Sequence, residues 1–83
     1  MSYVLVSRKG CHLCEEAEQM LGALRLPFER RDVDQDPELR LEYSFRVPVL
    51  LRGREVLMEG RFDAPRLVRL LEQTADGGQP GAD

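Results

Sequence analysis

Arg8-Lys9-Gly10-Cys11-His12-Leu13-Cys14 contains both cysteines of this 83-residue chain, separated only by His12 and Leu13. A C-x-x-C pair that falls where an apolar run gives way to an amphipathic segment is a candidate redox dithiol. Residues three apart on a helix share a face, so the two sulfurs can approach closely enough to close a small disulfide ring. Cys11 is expected at the helix N-terminus, where unpaired backbone N–H groups and the helix dipole favour a thiolate over a thiol. Cys14, one turn further in and continuing the apolar face, is expected to be the more buried sulfur. The roles follow from that difference: Cys11 attacks and Cys14 resolves. Arg8, Lys9 and a protonated His12 reinforce the Cys11 thiolate, while Glu15, Glu16 and Glu18 oppose it. His12 is read as an exposed residue whose charge tunes Cys11, not as a catalytic base.

The elements that must present this pair can be read in order. Residues 3–7 are short, β-branched and apolar on both faces, the pattern of a buried central strand. Gly10 marks the turn out of it. A helix over 12–24 follows, with Leu13, Ala17, Met20, Leu21 and Leu24 at helical spacing. Residues 28–33 are extended and heavily charged, which suits an edge strand. Asp36 caps a short helix with Pro37 in its first turn, and Leu39 and Tyr43 face inward. The segments 47–52 and 55–59 form a hairpin about Gly53-Arg54. Asp63 caps a last helix whose buried stripe is Ala64, Leu67, Val68 and Leu71. The expected fold class is α/β: βαβ, helix, ββα, a mixed four-stranded sheet with helices on its faces.

Composition bounds the function. With 42% hydrophobic and 33% charged residues, the chain suits one small globular domain over residues 1–74. Residues 75–83 carry no apolar periodicity and are expected to be a disordered tail. The formal net charge of −3 opposes a general affinity for nucleic acid. Residues 3–6 are too short for a signal-peptide core, and no stretch reaches the length of a membrane span. A cytoplasmic location is expected, where a chain with two cysteines rarely holds a merely structural disulfide.

The order of elements, the Cys11-His12-Leu13-Cys14 dithiol and the Val47-Pro48 step together resemble the thioredoxin fold in its smallest version, the glutaredoxin-like family. The resemblance covers residues 3 to about 74. It implies that Pro48 is cis and faces the dithiol, and that the backbone of Val47 is free to pair with a bound peptide or glutathione. It further implies substrate-binding roles for Arg8, Leu13, Gly60, Arg61 and Asp63, with Met58 and Phe62 beside the groove and Arg46 or Arg61 attracting carboxylates. The dithiol interior is His12-Leu13 where the family commonly has Pro-Tyr, and the family's glycine pair is reduced to Gly60, between Glu59 and Arg61. Cys-His-Leu-Cys-Glu-Glu-Ala with the later Arg-Val-Pro-Val-Leu is most similar to a bacterial group of glutaredoxin-like proteins.

The function this implies is a thiol–disulfide oxidoreductase acting on protein or small-molecule disulfides, monomeric and without a bound cofactor. Its electron donor is glutathione or a thioredoxin reductase. Two other readings stand beside it. In one, Cys11, Cys14 and His12 hold a metal or iron–sulfur cluster, which would need further ligands from outside the chain. In the other, the protein is a folded adaptor whose dithiol is incidental, with Arg66 and Arg69 on a partner surface.

Overall fold

A computed structural model describes residues 3–75, so the expected tail over 75–83 lies outside the described residues except for Ala75, which ends the last helix. The elements run β1 (Tyr3–Ser7), α1 (His12–Ala23), β2 (Glu29–Asp32), a 3-10 turn (Val33–Gln35), α2 (Pro37–Tyr43), β3 (Val49–Arg52), β4 (Glu55–Glu59) and α3 (Ala64–Ala75). The strands form one four-stranded sheet in the order β2-β1-β3-β4, with β1 parallel to β2 and antiparallel to β3, and β3 antiparallel to β4. This is the expected mixed sheet with three helices. β1, apolar on both faces, occupies the interior of the sheet, and the charged β2 lies at an edge.

Alternation along the strands sorts the core into two layers. Leu5 and Leu50 point to one side, where they pack with Ala17 and Leu21 of α1 and Leu67 of α3. Val6, Val49 and Leu51 point to the other, against Val33 and the inward residues of α2, Leu39 and Tyr43. β4 carries a bulge: Leu50 pairs with Met58 and Leu51 with Val56, leaving Leu57 as the extra residue. The extra residue lets the neighbours Leu57 and Met58 join the same core layer.

Local chemistry sets the helix limits. Asp36 caps α2, its Oδ1 accepting from the N–H groups of Glu38 at 3.0 Å and Leu39 at 3.3 Å. α1 ends earlier than the expected residue 24. Arg25 takes a left-handed φ of 57°, and the N–H groups of Arg25 and Leu26 donate to the carbonyls of Gly22 and Leu21. This is a Schellman closure with arginine in place of the usual glycine, and the apolar contact of Leu26 with the Leu21 layer completes it. Leu24, expected on the buried face, is consequently turned outward and is exposed. In α3 the first-turn Ala64 is likewise exposed, and Leu70 joins Leu67 and Leu71 at the core instead. Leu41 of α2 and Phe45, just beyond it, also stand in water.

Leu21 is wholly buried at the centre of the α1 layer. Leu21→Ala is expected to destabilise the fold by about 2–5 kcal/mol. The measurement is the urea midpoint at constant m-value, and an unmoved midpoint would contradict this packing.

Candidate active site

The end of β1 and the start of α1 meet at a three-residue loop, Arg8-Lys9-Gly10. Gly10 has a φ of 75°, a left-handed value that glycine adopts without a Cβ penalty. The turn delivers Cys11 to the N-cap of α1 with φ −91° and ψ 119°; its carbonyl accepts from the Glu15 N–H at 3.0 Å, and its side chain caps nothing. The thiol thus stands at the helix N-terminus, half-buried. Cys14 lies one turn inside and is 1% exposed. Both cysteines are free.

Arg8 bonds to both of them through its backbone. Its carbonyl accepts from the Cys11 N–H at 3.3 Å, and its N–H donates to the Cys14 Sγ at 3.4 Å. Burial pushes the Cys14 thiol up to about 11, the Arg8 N–H works against that, and the neighbouring Cys11 sulfur and the Glu18 charge add to it. Cys14 therefore rests as a neutral thiol near neutral pH.

The Arg8 side chain runs the other way. Nε donates to Asp34 Oδ2 at 2.8 Å, Nη2 to Asp34 Oδ1 at 3.0 Å and to Ser44 Oγ at 2.9 Å, and Nη1 to the Ser44 carbonyl at 3.0 Å. A group read from the sequence as a glutathione-binding base has four of its five N–H bonds committed within the protein. The bidentate bond raises the affinity of Arg8 for its proton and holds the Asp34 carboxyl below its ordinary range. Because the Asp34 value is depressed, its stabilising contribution is present above the ordinary carboxylate range and is lost as pH falls through the lowered value.

Arg46, next to Val47 in the chain, is similarly occupied. Its Nε and Nη2 donate to Glu59 Oε1 at 3.1 and 2.6 Å, its Nη1 lies 3.5 Å from Glu42 Oε2, and its guanidinium sits 5.0 Å from the centroid of the Tyr43 ring. His12 is exposed, with Nε2 at 2.9 Å from Glu16 Oε2 one turn along α1. Lys9 is exposed at the loop, and Leu13 is half-buried in the first turn.

The Val47-Pro48 peptide is cis, as the resemblance implies. Pro48 is buried, and its carbonyl accepts from the N–H of Gly60 at 2.9 Å. Gly60 has a φ of 74°, so the retained glycine answers a backbone requirement and its N–H is spent on Pro48. Among the described residues no backbone hydrogen bond outside the helices and strands engages Val47, whose polar groups lie just before the strand begins. Arg61 and Asp63 meet elsewhere: with Met58, Glu59 and Arg66 they line an open groove of about 240 Å³ along β4 and the start of α3. Neither cysteine is in its walls, so the dithiol and not this hollow defines the site. Phe62, expected beside the groove, is buried in the core layer instead, because the turn at Gly60 directs it under the sheet.

The sequence reading missed Asp34 and Ser44. Nothing in their spacing signals a link to Arg8, since the contacts span 26 and 36 residues and arise only when the 3-10 turn and the end of α2 fold beside the loop. As to a metal, no group of three or more His, Cys, Asp or Glu side chains among the described residues is arranged to hold one. A metal bound to the cysteines would need ligands from another molecule.

A parallel β1–α1–β2 unit, a cis-proline hairpin and a dithiol at the first helix define a protein of the thioredoxin fold. Comparison with known proteins places it more narrowly: residues 3–72 match the Glutaredoxin-like domain (DUF836), and the chain belongs to that family. A structural-genomics target, XcR50 from X. campestris, is 35% identical, with a TM-score of 0.77 over 87% of this chain and 97% of that one. Ne2328 from Nitrosomonas europaea is 30% identical, with a TM-score of 0.69 over 82% and 87%. Glutaredoxin from Brucella melitensis, at 23% identity and a TM-score of 0.58 over 92% and 83%, shares the fold. The chain is 37% identical over 59 residues to N-acetyl-S-hydroxy-L-cysteine reductase of Bacillus subtilis (strain 168). That match covers 65% of this chain and 63% of the relative, less than two thirds of its length. Family, fold and a relative named as a reductase together support a redox function.

Limiting iodoacetamide near neutral pH is expected to label Cys11, with Cys14 reacting only as the pH rises toward about 11. Peptide mapping reads the site of the label. Preferential modification of Cys14 at neutral pH would contradict the division of roles.

Proposed function

We propose that this protein is a thiol–disulfide oxidoreductase in which Cys11 is the nucleophile and Cys14 the resolving thiol. The observation that carries the reading is their difference in environment: Cys11 stands at the open N-cap of α1, and Cys14 is buried one turn inside with a single backbone N–H on its sulfur. The helix N-terminus favours negative charge on Cys11. Its thiolate attacks a substrate disulfide, one substrate sulfur leaves as a thiolate, and a mixed disulfide forms. Cys14 then gives up its proton and attacks the Cys11 sulfur, releasing the second substrate thiolate and closing the Cys11–Cys14 disulfide. The unengaged backbone of Val47 is a pairing edge for an extended substrate strand.

An external donor must return the dithiol to its reduced form, and glutathione and a thioredoxin reductase are the two candidates. Arg8 and Arg46 are held by Asp34, Ser44, Glu42 and Glu59, so either one would give up bonds within the protein to take a glutathione carboxylate. A second substrate class is favoured by the relative named for reducing an S-hydroxycysteine. The same two cysteines serve it: Cys11 attacks the S–OH sulfur, hydroxide leaves and takes up a proton as water, and Cys14 resolves as before.

In an insulin or small-disulfide reduction assay, Cys11→Ser is expected to lower turnover to the uncatalysed rate. Cys14→Ser is expected to stall after one attack, with intact mass revealing the substrate fragment on Cys11. Undiminished turnover by Cys11→Ser would overturn the proposal and favour an adaptor.

A further inference from the structure

The Arg8 guanidinium is anchored on Asp34 and Ser44, and the same residue's peptide groups are the ones that touch both cysteines. Its N–H lies 3.4 Å from the Cys14 Sγ and its carbonyl 3.3 Å from the Cys11 nitrogen. The loop that contains it is short and passes through Gly10, a residue with little conformational preference of its own. Ser7, on the N-terminal side, is buried and held by the Arg30 Nε at 3.2 Å, so the strand end is fixed while the loop beyond it depends on the Arg8 side chain. That side chain reaches two separate elements, the 3-10 turn through Asp34 and the end of α2 through Ser44.

We propose that Asp34 and Ser44 are positioning residues of the dithiol: by fastening the Arg8 guanidinium they hold the Arg8 N–H on the Cys14 sulfur, supporting the thiolate that attacks the mixed disulfide. The inference rests on the dithiol reading above and adds residues to it. In the supported step Cys14 loses its proton to solvent and its thiolate forms the bond to Cys11 Sγ. The bond from Cys11 to the substrate sulfur breaks, and the substrate leaves with the electron pair and takes a proton from solvent. Two electrons have then passed from the dithiol to the substrate disulfide. The Arg8 N–H is donated to the attacking sulfur while that sulfur is charged, which is when a hydrogen bond to it is strongest.

Charge and position make opposite forecasts, which allows a decisive variant. The groups that bear on Cys14 are Cys11 and Glu18 on α1 and Arg8 in the loop; Glu18 is itself paired with Arg30 at 3.0 Å. Removing the Asp34 carboxylate leaves the Arg8 cation less neutralised. If Arg8 acted on the sulfurs through its charge, Asp34→Ala would favour the Cys14 thiolate and speed resolution. If Asp34 acts by holding the Arg8 backbone, the same variant slows it.

The test is a stopped-flow reaction of the reduced full chain with dithiobis(nitrobenzoate). A first equivalent of thionitrobenzoate leaves when Cys11 attacks, and a second leaves when Cys14 resolves. For Asp34→Ala the second phase is expected to slow about tenfold near neutral pH, its pH profile moving up by about one unit, with the first phase not slowed. Ser44→Ala, which loses the Oγ contact and retains the carbonyl one, is expected to shift the same phase in the same direction by less. A second phase that is unchanged or faster in Asp34→Ala would overturn the proposal. So would an equal slowing of both phases with an unmoved pH profile, the mark of a merely structural contact. Release of only one equivalent by the wild-type protein would instead overturn the dithiol mechanism, and this inference with it.

Discussion

The parallel pairing of Tyr3–Ser7 with Glu29–Asp32 is the constraint on which the site depends. Two parallel strands cannot be joined by a hairpin, so the chain must leave the end of β1, cross over one face and return, and the crossover is α1. The carboxyl end of a buried strand is thereby placed against the N-terminus of a helix. That junction supplies both halves of the chemistry: free N–H groups around Cys11, and an apolar layer of Leu5, Ala17 and Leu21 that draws the first turn, and Cys14 with it, into the interior. The two sulfurs differ because the helix is fixed relative to the sheet, not because their neighbours in sequence differ.

Around this junction the polar side chains are tied largely to one another. Arg8 joins the loop to the 3-10 turn and α2, Arg46 joins the approach to the cis proline to β4, and Arg30 joins β2 to both Ser7 and Glu18. An 83-residue chain has a small core, so few apolar contacts are available to fix its loops. Ion pairs exposed to this degree contribute modestly to global stability. Their effect is to reduce the number of arrangements open to the loops, which matters at a site where a few tenths of an ångström decide whether an N–H meets a sulfur.

Much of this was legible in the sequence, for identifiable reasons. The β1 run, the Asp36-Pro37 start, the hairpin about Gly53-Arg54 and the C-x-x-C each carry a local rule that folding did not override. Leu24 and Ala64 were misread because periodicity says which face of a helix is apolar and not where the helix stops being covered; the left-handed Arg25 supplied that stop without a glycine to announce it. Arg8 and Arg46 were readable as cations near the site. Their partners were not, since Asp34, Ser44 and Glu59 approach through tertiary packing and leave no spacing pattern. The bulge that gathers Leu57 and Met58 on one side was hidden for the same reason.

In the proposed mechanism Cys11 and Cys14 form a reversible intramolecular couple. The most direct measurement equilibrates the protein across graded ratios of reduced to oxidised glutathione, quenches with acid and alkylates the remaining thiols, and reads intact mass. A Cys11–Cys14 disulfide is expected as the oxidised species, with a sharp midpoint and little persistent glutathione adduct. Two cysteines that stay free at strongly oxidising ratios, or a stable adduct on Cys11 that Cys14 never displaces, would contradict it.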